Sequence, residues 1–392
     1  MNVFVIPSWY PSPSFPSTGI FLKQQALLLA KERPEWNIGI STWGANDPRF
    51  WLIKSKPLEV LLKLFAKRPN KPKDILLEPN CSELFFPAYT WTRKIKNGNI
   101  EGIIEANRKN LQRFTEVFGK PDIIHAHISH PGGFVAMKLS EELGIPYVLT
   151  EQMSPFPLPS YKGDYEKWLL PPLQNAAAVL SVGENLSEEL QQFGIATTPM
   201  VNFIDMDRFS PNSNDPQPVP RLFALGRLEG QKGVDLLLEA MAALSDQKWK
   251  LRIGGDGSDK SFLKGQIRKL KLEGRVELIG GLSQDQVAVE MKSCDFFVLP
   301  SRHESFGIVA IEAMSCGKPL VYTRCGGVTD QLDERVGEAC EVNFQSLQKG
   351  IKRMLENFSA YKPEDIRKFV EDRYSPGVAV DHLETIYRAA LV

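Results

Sequence analysis

Two glutamates, Glu304 and Glu312, flank the run Ser305-Phe306-Gly307-Ile308. One carboxylate in a turn and another about a turn and a half along a helix can take different hydroxyls of one elongated ligand. The helix start between them offers free backbone N–H groups and a partial positive charge, which suit a phosphate. Upstream, Arg227 and Lys232 stand on the glycine-punctuated loop Gly226 to Gly233. A forked, permanent cation beside a mobile point charge suits a diphosphate. In the first half, His125, His127 and His130 fall within Pro121 to Gly133, and Glu151-Gln152 follows an apolar run. Each feature also has a plain reading: a surface loop, a solvated basic loop, a structural histidine. A three-histidine metal site is disfavoured, because the close spacing places successive side chains on different faces and no carboxylate follows at useful spacing.

The elements that would position these residues repeat one pattern. Cys294 to Leu299 is a short apolar run, the pattern of a buried strand. Ile308 to Cys316 has helical spacing, and Gly317 followed by Pro319 is a stop signal. The turn Arg302 to Gly307 therefore lies where a strand ends and a helix begins, the edge at which doubly wound sheets bind ligands. Val3 to Ile6, Arg221 to Gly226, Val276 to Gly280 and Pro319 to Tyr322 read as further strands. Trp249 to Gly257 is a strand ending in glycines that lack a GxGxxG continuation, so Gly255 fits close backbone approach to a nucleotide base or ribose. Gly19 closes a proline-rich loop and opens a helix, Ile20 to Ala30, a second place where backbone can approach a ligand.

The first half carries strands at Asp122–His125, with His127 near the C-terminal end, at Ile145–Thr150, and at Ala176–Val182, and closes at Val201–Asp205. Ser210 to Pro220 is a polar, proline-rich linker, after which the α/β pattern restarts. This gives domains at 1–209 and 221–375, joined by 210–220, with a last helix over 376–392.

The composition is that of a globular protein: 43% hydrophobic and 24% charged, with 47 basic and 47 acidic residues. Zero net charge and no stacking motif argue against a nucleic-acid partner. Five cysteines without a CxxC spacing read as reduced thiols in a cytoplasmic compartment. The apolar N-terminus is too short for a signal h-region, and no run reaches the length of a spanning helix. Residues 51–73 interleave apolar side chains with lysine and arginine. Such a segment either packs on a sheet with a solvated basic face or lies on an anionic membrane, at its inner face if the protein is cytoplasmic.

Glu304, seven intervening residues and Glu312, with Ser-Phe-Gly after the first and Gly-Lys-Pro-Leu-Val after the helix, resemble the signature of the retaining family 4 glycosyltransferases. The Gly-Arg-x4-Lys-Gly loop, the His-x-His strand end and the Ser-Thr-Gly-Ile-Phe-Leu-Lys loop resemble the same family. The likeness covers nearly the whole chain and is strongest over 221–330. It implies an α/β GT-B fold: two doubly wound Rossmann-like domains facing a central cleft, the last helix crossing back to the N-terminal domain. It assigns donor-sugar hydroxyls to Glu304 and the diphosphate to the backbone after it, from Ser305 through Phe306 and Gly307 to Ile308. The ribose falls to Glu312, and the leaving group to Arg227 and Lys232. His127 would lie beside the reacting centre, with Gly19 on the donor's phosphate side and Gly255 at the base or ribose. His130 and Glu151 are the acceptor-side candidates; Glu151-Gln152 stands where relatives often carry histidine. The implied reaction moves a hexose from a UDP- or GDP-sugar to a hydroxyl of a glycan, lipid-linked or small-molecule acceptor, with retention of configuration. Neither a metal nor another cofactor is expected. The alternative is a non-catalytic nucleotide-sugar-binding subunit of a glycan-assembly complex.

Overall fold

In the computed structural model, apolar runs buried on both faces form two sheets, as parallel strands covered by helices require. The structure describes residues 1–12, 18–44, 51–52, 71–91, 93–200, 204–212, 218–304 and 306–392. Two units emerge: 1–182 with 186–203 and 379–392, and 183–185 with 204–378.

The first unit holds β1 (Asn2–Pro7), β2 (Asn37–Thr42), β3 (Lys73–Glu78), β4 (Cys81–Phe85), β5 (Ile123–His127), β6 (Tyr147–Glu151), β7 (Ala178–Ser181) and β8 (Thr198–Pro199). Their order is β8-β7-β6-β5-β1-β2-β4-β3. All pair in parallel except β3, which runs antiparallel to β4. The Pro79-Asn80 turn explains that reversal, since Asn80 donates its side-chain amide to the carbonyls of Ala30 and Trp36 and pins the hairpin. Principal helices here are α1 (Ile20–Glu32), α2 (Ile100–Phe118) and α3 (Phe134–Leu143). The apolar stripe of α2 buries Ile103, Ile104, Leu111 and Phe114, and Phe114 meets Phe4 of β1 edge-on at 5.8 Å.

The second unit holds β9 (Arg221–Leu225), β10 (Lys250–Gly254), β11 (Val276–Gly280), β12 (Phe296–Leu299), β13 (Leu320–Thr323) and β14 (Gly337–Cys340). They form one parallel sheet in the order β11-β10-β9-β12-β13-β14. Its principal helices are α4 (Val234–Ala242), α5 (Lys260–Lys269), α6 (Gln284–Ser293), α7 (Ile308–Ser315), α8 (Phe344–Asn357) and α9 (Pro363–Tyr374). The order turns at β9 and β12, adjacent strands whose following loops carry Arg227–Lys232 and Glu304. That switch point is where such a sheet opens a crevice at its C-terminal edge.

The last helix, α10 (Pro376–Ala390), buries Ala379, Val380, Leu383, Ile386 and Tyr387 in the core of the first unit, with Val3, Ile38 and Val148. Arg33 holds it from α1 through ion pairs with Asp381 and Glu384. No helix among the described residues is long and apolar enough to cross a membrane. Of the basic segment 51–73, Trp51–Leu52 pairs with Thr90–Trp91 and Lys73 opens β3, while 53–70 lies outside the described residues.

Candidate functional site

In the second unit the site begins with a glycine. Gly233 has φ +61°, and a Cβ there would stand 2.0 Å from the Pro300 carbonyl oxygen, so only glycine lets the β9 loop press on the β12 loop. The Arg302 N–H donates to the Gln231 carbonyl at 2.8 Å, and its guanidinium spans Gly230 O and both oxygens of Asp235. This lacing places Lys232 Nζ 2.7 and 2.8 Å from the two Glu304 oxygens. Ser301 adds a third contact, donating its hydroxyl to Glu304 Oε1 at 2.6 Å. Glu304 is only 6% exposed, and its N–H is tied to Cys325 O of the next loop. A buried carboxylate so held is fixed in direction, with its charge partly met by Lys232.

Gly307, at φ +87°, precedes α7, which has no side-chain cap among the described residues; the Ala310 N–H turns back to the Gly307 carbonyl at 2.9 Å, and the N–H groups ahead of it are those a helix leaves without an intrahelical acceptor. Phe306 is buried against Tyr374, and Ile308 opens the helix; Ser305 lies outside the described residues. One turn on, Glu312 is buried, and burial pushes its carboxyl up to about 8 despite the nearby charge of Arg208. Gly255 has φ +130°, and its absent Cβ would overlap Gly226 O at 1.8 Å, so it joins the ends of β9 and β10 backbone to backbone. Arg227 stands apart from the Lys232–Glu304 pair: its side chain is 77% exposed and bonded to Glu229.

In the first unit, β5 carries His125 and His127, both buried, with ring centres 4.2 Å apart. Burial lowers the pKa of both rings, and His125 beside it lowers His127 further, so both are neutral. The His127 carbonyl accepts from Ser8 Oγ at 2.8 Å, and the same hydroxyl accepts from the Gly132 N–H at 2.8 Å. His130 bonds Tyr161 through Nδ1 at 2.9 Å and packs edge-on against Trp168; its buried Nε2 has no partner among the described residues.

Glu151 calls for a correction. It is fully buried, and its carboxylate accepts the N–H groups of Ser129, Gln152 and Met153 at 2.8–2.9 Å. A carboxylate spent on three backbone donors braces the loops after β5 and β6, and the acceptor role expected from sequence is not carried forward. Gly19 has a comparable structural demand: φ is +64° and a Cβ would meet Trp9 O at 2.5 Å.

Sequence reasoning missed Ser301, Arg302, Ser8 and Gln152, whose amide reaches His127 Nδ1 at 3.4 Å. Ser301 carried a usable signal, a hydroxyl three residues before a buried acid; the others gained meaning only from contacts distant in sequence. Among the described residues, no three His, Cys, Asp or Glu side chains group as a metal site.

Comparison with known proteins places this geometry in company. Residues 205–371 match the model "Glycosyl transferases group 1", and residues 86–208 match "Glycosyltransferase Family 4". A putative teichuronic acid biosynthesis glycosyltransferase, TuaC of Bacillus subtilis, is 27% identical over 98% of this chain and 94% of its own. Sucrose-phosphate synthase of Thermosynechococcus elongatus superposes with a TM-score of 0.73 at 19% identity, covering 99% of this chain and 98% of that one. HepE of Anabaena, solved in complex with UDP, gives 0.70 at 18% identity over 99% of this chain and 100% of that one.

Proposed function

From the premise that the chain belongs to the family 4 GT-B glycosyltransferases, we propose that it moves a hexose from a UDP- or GDP-sugar to an acceptor hydroxyl, retaining configuration and using no metal. The observation that carries this reading is the Lys232–Glu304–Ser301 contact beside the uncapped start of α7, with buried Glu312 one turn further on. A sugar, a diphosphate and a ribose set in line would meet these groups in that order. The HepE complex with UDP-glucose supports a UDP-sugar donor by analogy of fold.

As the anomeric C–O bond breaks, negative charge grows on the departing diphosphate, where Lys232 and the α7 N–H groups stabilise it; Arg227 joins them only by leaving its contact with Glu229. The acceptor oxygen forms its bond on the face the phosphate leaves, and its proton passes to a departing phosphate oxygen. His127, neutral through burial, is the first unit's candidate for a hydrogen bond to substrate. The name of TuaC, a putative teichuronic acid biosynthesis glycosyltransferase, supports a glycan acceptor. Contact of residues 51–73 with an anionic membrane, at its cytoplasmic face, belongs to the same reading, and co-sedimentation with anionic vesicles tests it.

The deciding experiment is nucleotide release from UDP-, GDP- and ADP-sugars in EDTA, for wild type and Glu304→Ala. Slow hydrolysis of one donor, lost in the variant, is expected. Absence of both turnover and any donor-induced rise in melting temperature would overturn the reading.

A further inference from the structure

The last helix enters the histidine cluster of the first unit through one side chain. Tyr387, fully buried, places its hydroxyl 2.6 Å from His125 Nδ1, and the other ring nitrogen lies 2.7 Å from Thr150 Oγ1. One assignment of protons gives every donor in this chain an acceptor. Thr150 donates its one hydroxyl proton to Met200 Sδ at 3.4 Å, because a thioether has no proton to give. With that proton placed on the sulfur, Thr150 Oγ1 accepts from His125, which puts the ring proton on Nε2 and leaves Nδ1 bare. Tyr387 therefore donates to Nδ1. Burial raises the Tyr387 phenol and lowers the His125 pKa, which keeps the first a donor and the second a neutral ring.

His127 stacks on that ring at 4.2 Å with the planes 30° apart. Three contacts fix its backbone from the other side. Ser8 holds its carbonyl, the Ile128 N–H bonds Thr150 O at 2.8 Å, and the Gly133 N–H bonds Ile128 O at 2.9 Å. Ile128 itself has φ +70°, a conformation that costs a β-branched residue free energy and persists only where its surroundings enforce it. The main chain thus sets where His127 starts, and the His125 ring sets the plane in which it lies.

We propose that Tyr387 is a positioning residue, fixing the tautomer and plane of His125 and through it the ring of His127. The inference rests on the reading above that His127 meets substrate. The hydroxyl acts at a distance from the substrate, and its contribution is orientation.

The test is Tyr387→Phe in the full chain, read by nitrogen-15 NMR of labelled histidine and by steady-state transfer. The five histidines allow single-variant assignment of each ring. In the wild type, His125 shows a bare Nδ1 and a protonated Nε2. In the variant, the His127 signals shift or split, and kcat falls about tenfold with little change in donor KM. Val380→Ala, a buried core change in the same helix, serves as the control: it lowers the melting temperature and leaves the His127 signals and kcat in place. Unchanged His127 signals in Tyr387→Phe overturn the inference whether or not the wild type turns over a donor. Shifted signals with unchanged kcat uphold the positioning and overturn instead the substrate role of His127.

Discussion

A double-mutant cycle on Lys232 and Glu304 tests the centre of the site on both stability and binding. The ammonium lies 2.7 and 2.8 Å from the two carboxylate oxygens, so the contact is forked and close. Two unit charges at 4 Å attract by about 4 kcal/mol at an effective dielectric of about 20. The Lys232 side chain is 23% exposed and Glu304 7%, so desolvation and residual screening offset most of that gain. A coupling of about 1–2 kcal/mol remains. Lys232→Met, Glu304→Gln and the double variant, unfolded in urea, should each change stability, with the singles summing to more than the double by that amount. A coupling below about 0.5 kcal/mol would place the pair among contacts that add independently and refute the reasoning. The binding arm has the opposite sign. Glu304→Gln removes a negative charge that competes with a diphosphate for Lys232. Bare UDP or GDP should therefore bind roughly fivefold tighter, about 1 kcal/mol, while sugar transfer is lost. Calorimetry showing weaker nucleotide binding in Glu304→Gln would mean that Lys232 is not the diphosphate's partner.

Four further outcomes follow from the structure. Glu312, held up to about 8 by burial, is mostly protonated at pH 7; a ribose that needs the carboxylate drives that proton off, so donor titrations in buffers of different ionisation enthalpy should show close to one proton released. Because its folded pKa lies above the unfolded value, its contribution to stability is fully present below about pH 4.5 and is lost as pH rises through about 8, and Glu312→Gln should flatten that fall in urea midpoints measured from pH 5 to 8.5. Gly233→Ala meets both a positive φ and the Pro300 carbonyl at 2.0 Å, so a loss of about 3 kcal/mol or more, or failure to fold, is expected by circular dichroism. Glu151→Gln turns one acceptor oxygen into an NH2 facing backbone N–H groups and should cost about 1–3 kcal/mol in urea unfolding.

How much of this was legible in the sequence depends on how far apart the partners lie along the chain. Glu304, Gly307 and Glu312 sit on one strand–loop–helix unit, where local spacing alone sets geometry, so the turn, the helix start and the place of each acid follow from reading the stretch in order, while the burial of both acids does not. Lys232 lies 72 residues from Glu304; the sequence puts both on strand-end loops, which a parallel sheet brings to one edge where the order turns between β9 and β12, but their direct contact comes from the structure alone. Arg227 shows the limit of that argument: the same loop places it, but its long side chain finds Glu229 and solvent instead of the pair. Glu151 shows another. A polar residue after a buried strand reads as reaching for a ligand, whereas here the nearest donors are three backbone N–H groups of its own loops, and local bonding wins. The antiparallel β3 was also beyond reach, since its direction is set by Asn80 reaching across to Ala30 and Trp36. Tyr387 is the extreme case, 262 residues from His125 in a helix whose apolar spacing predicts burial equally for every inward side chain. Periodicity says that Tyr387 faces a core; only the packed structure says that the core at that point is a histidine with one bare nitrogen. A phenol there costs little if its proton has an acceptor, and the fold supplies one beside the ring that the proposed chemistry needs held still.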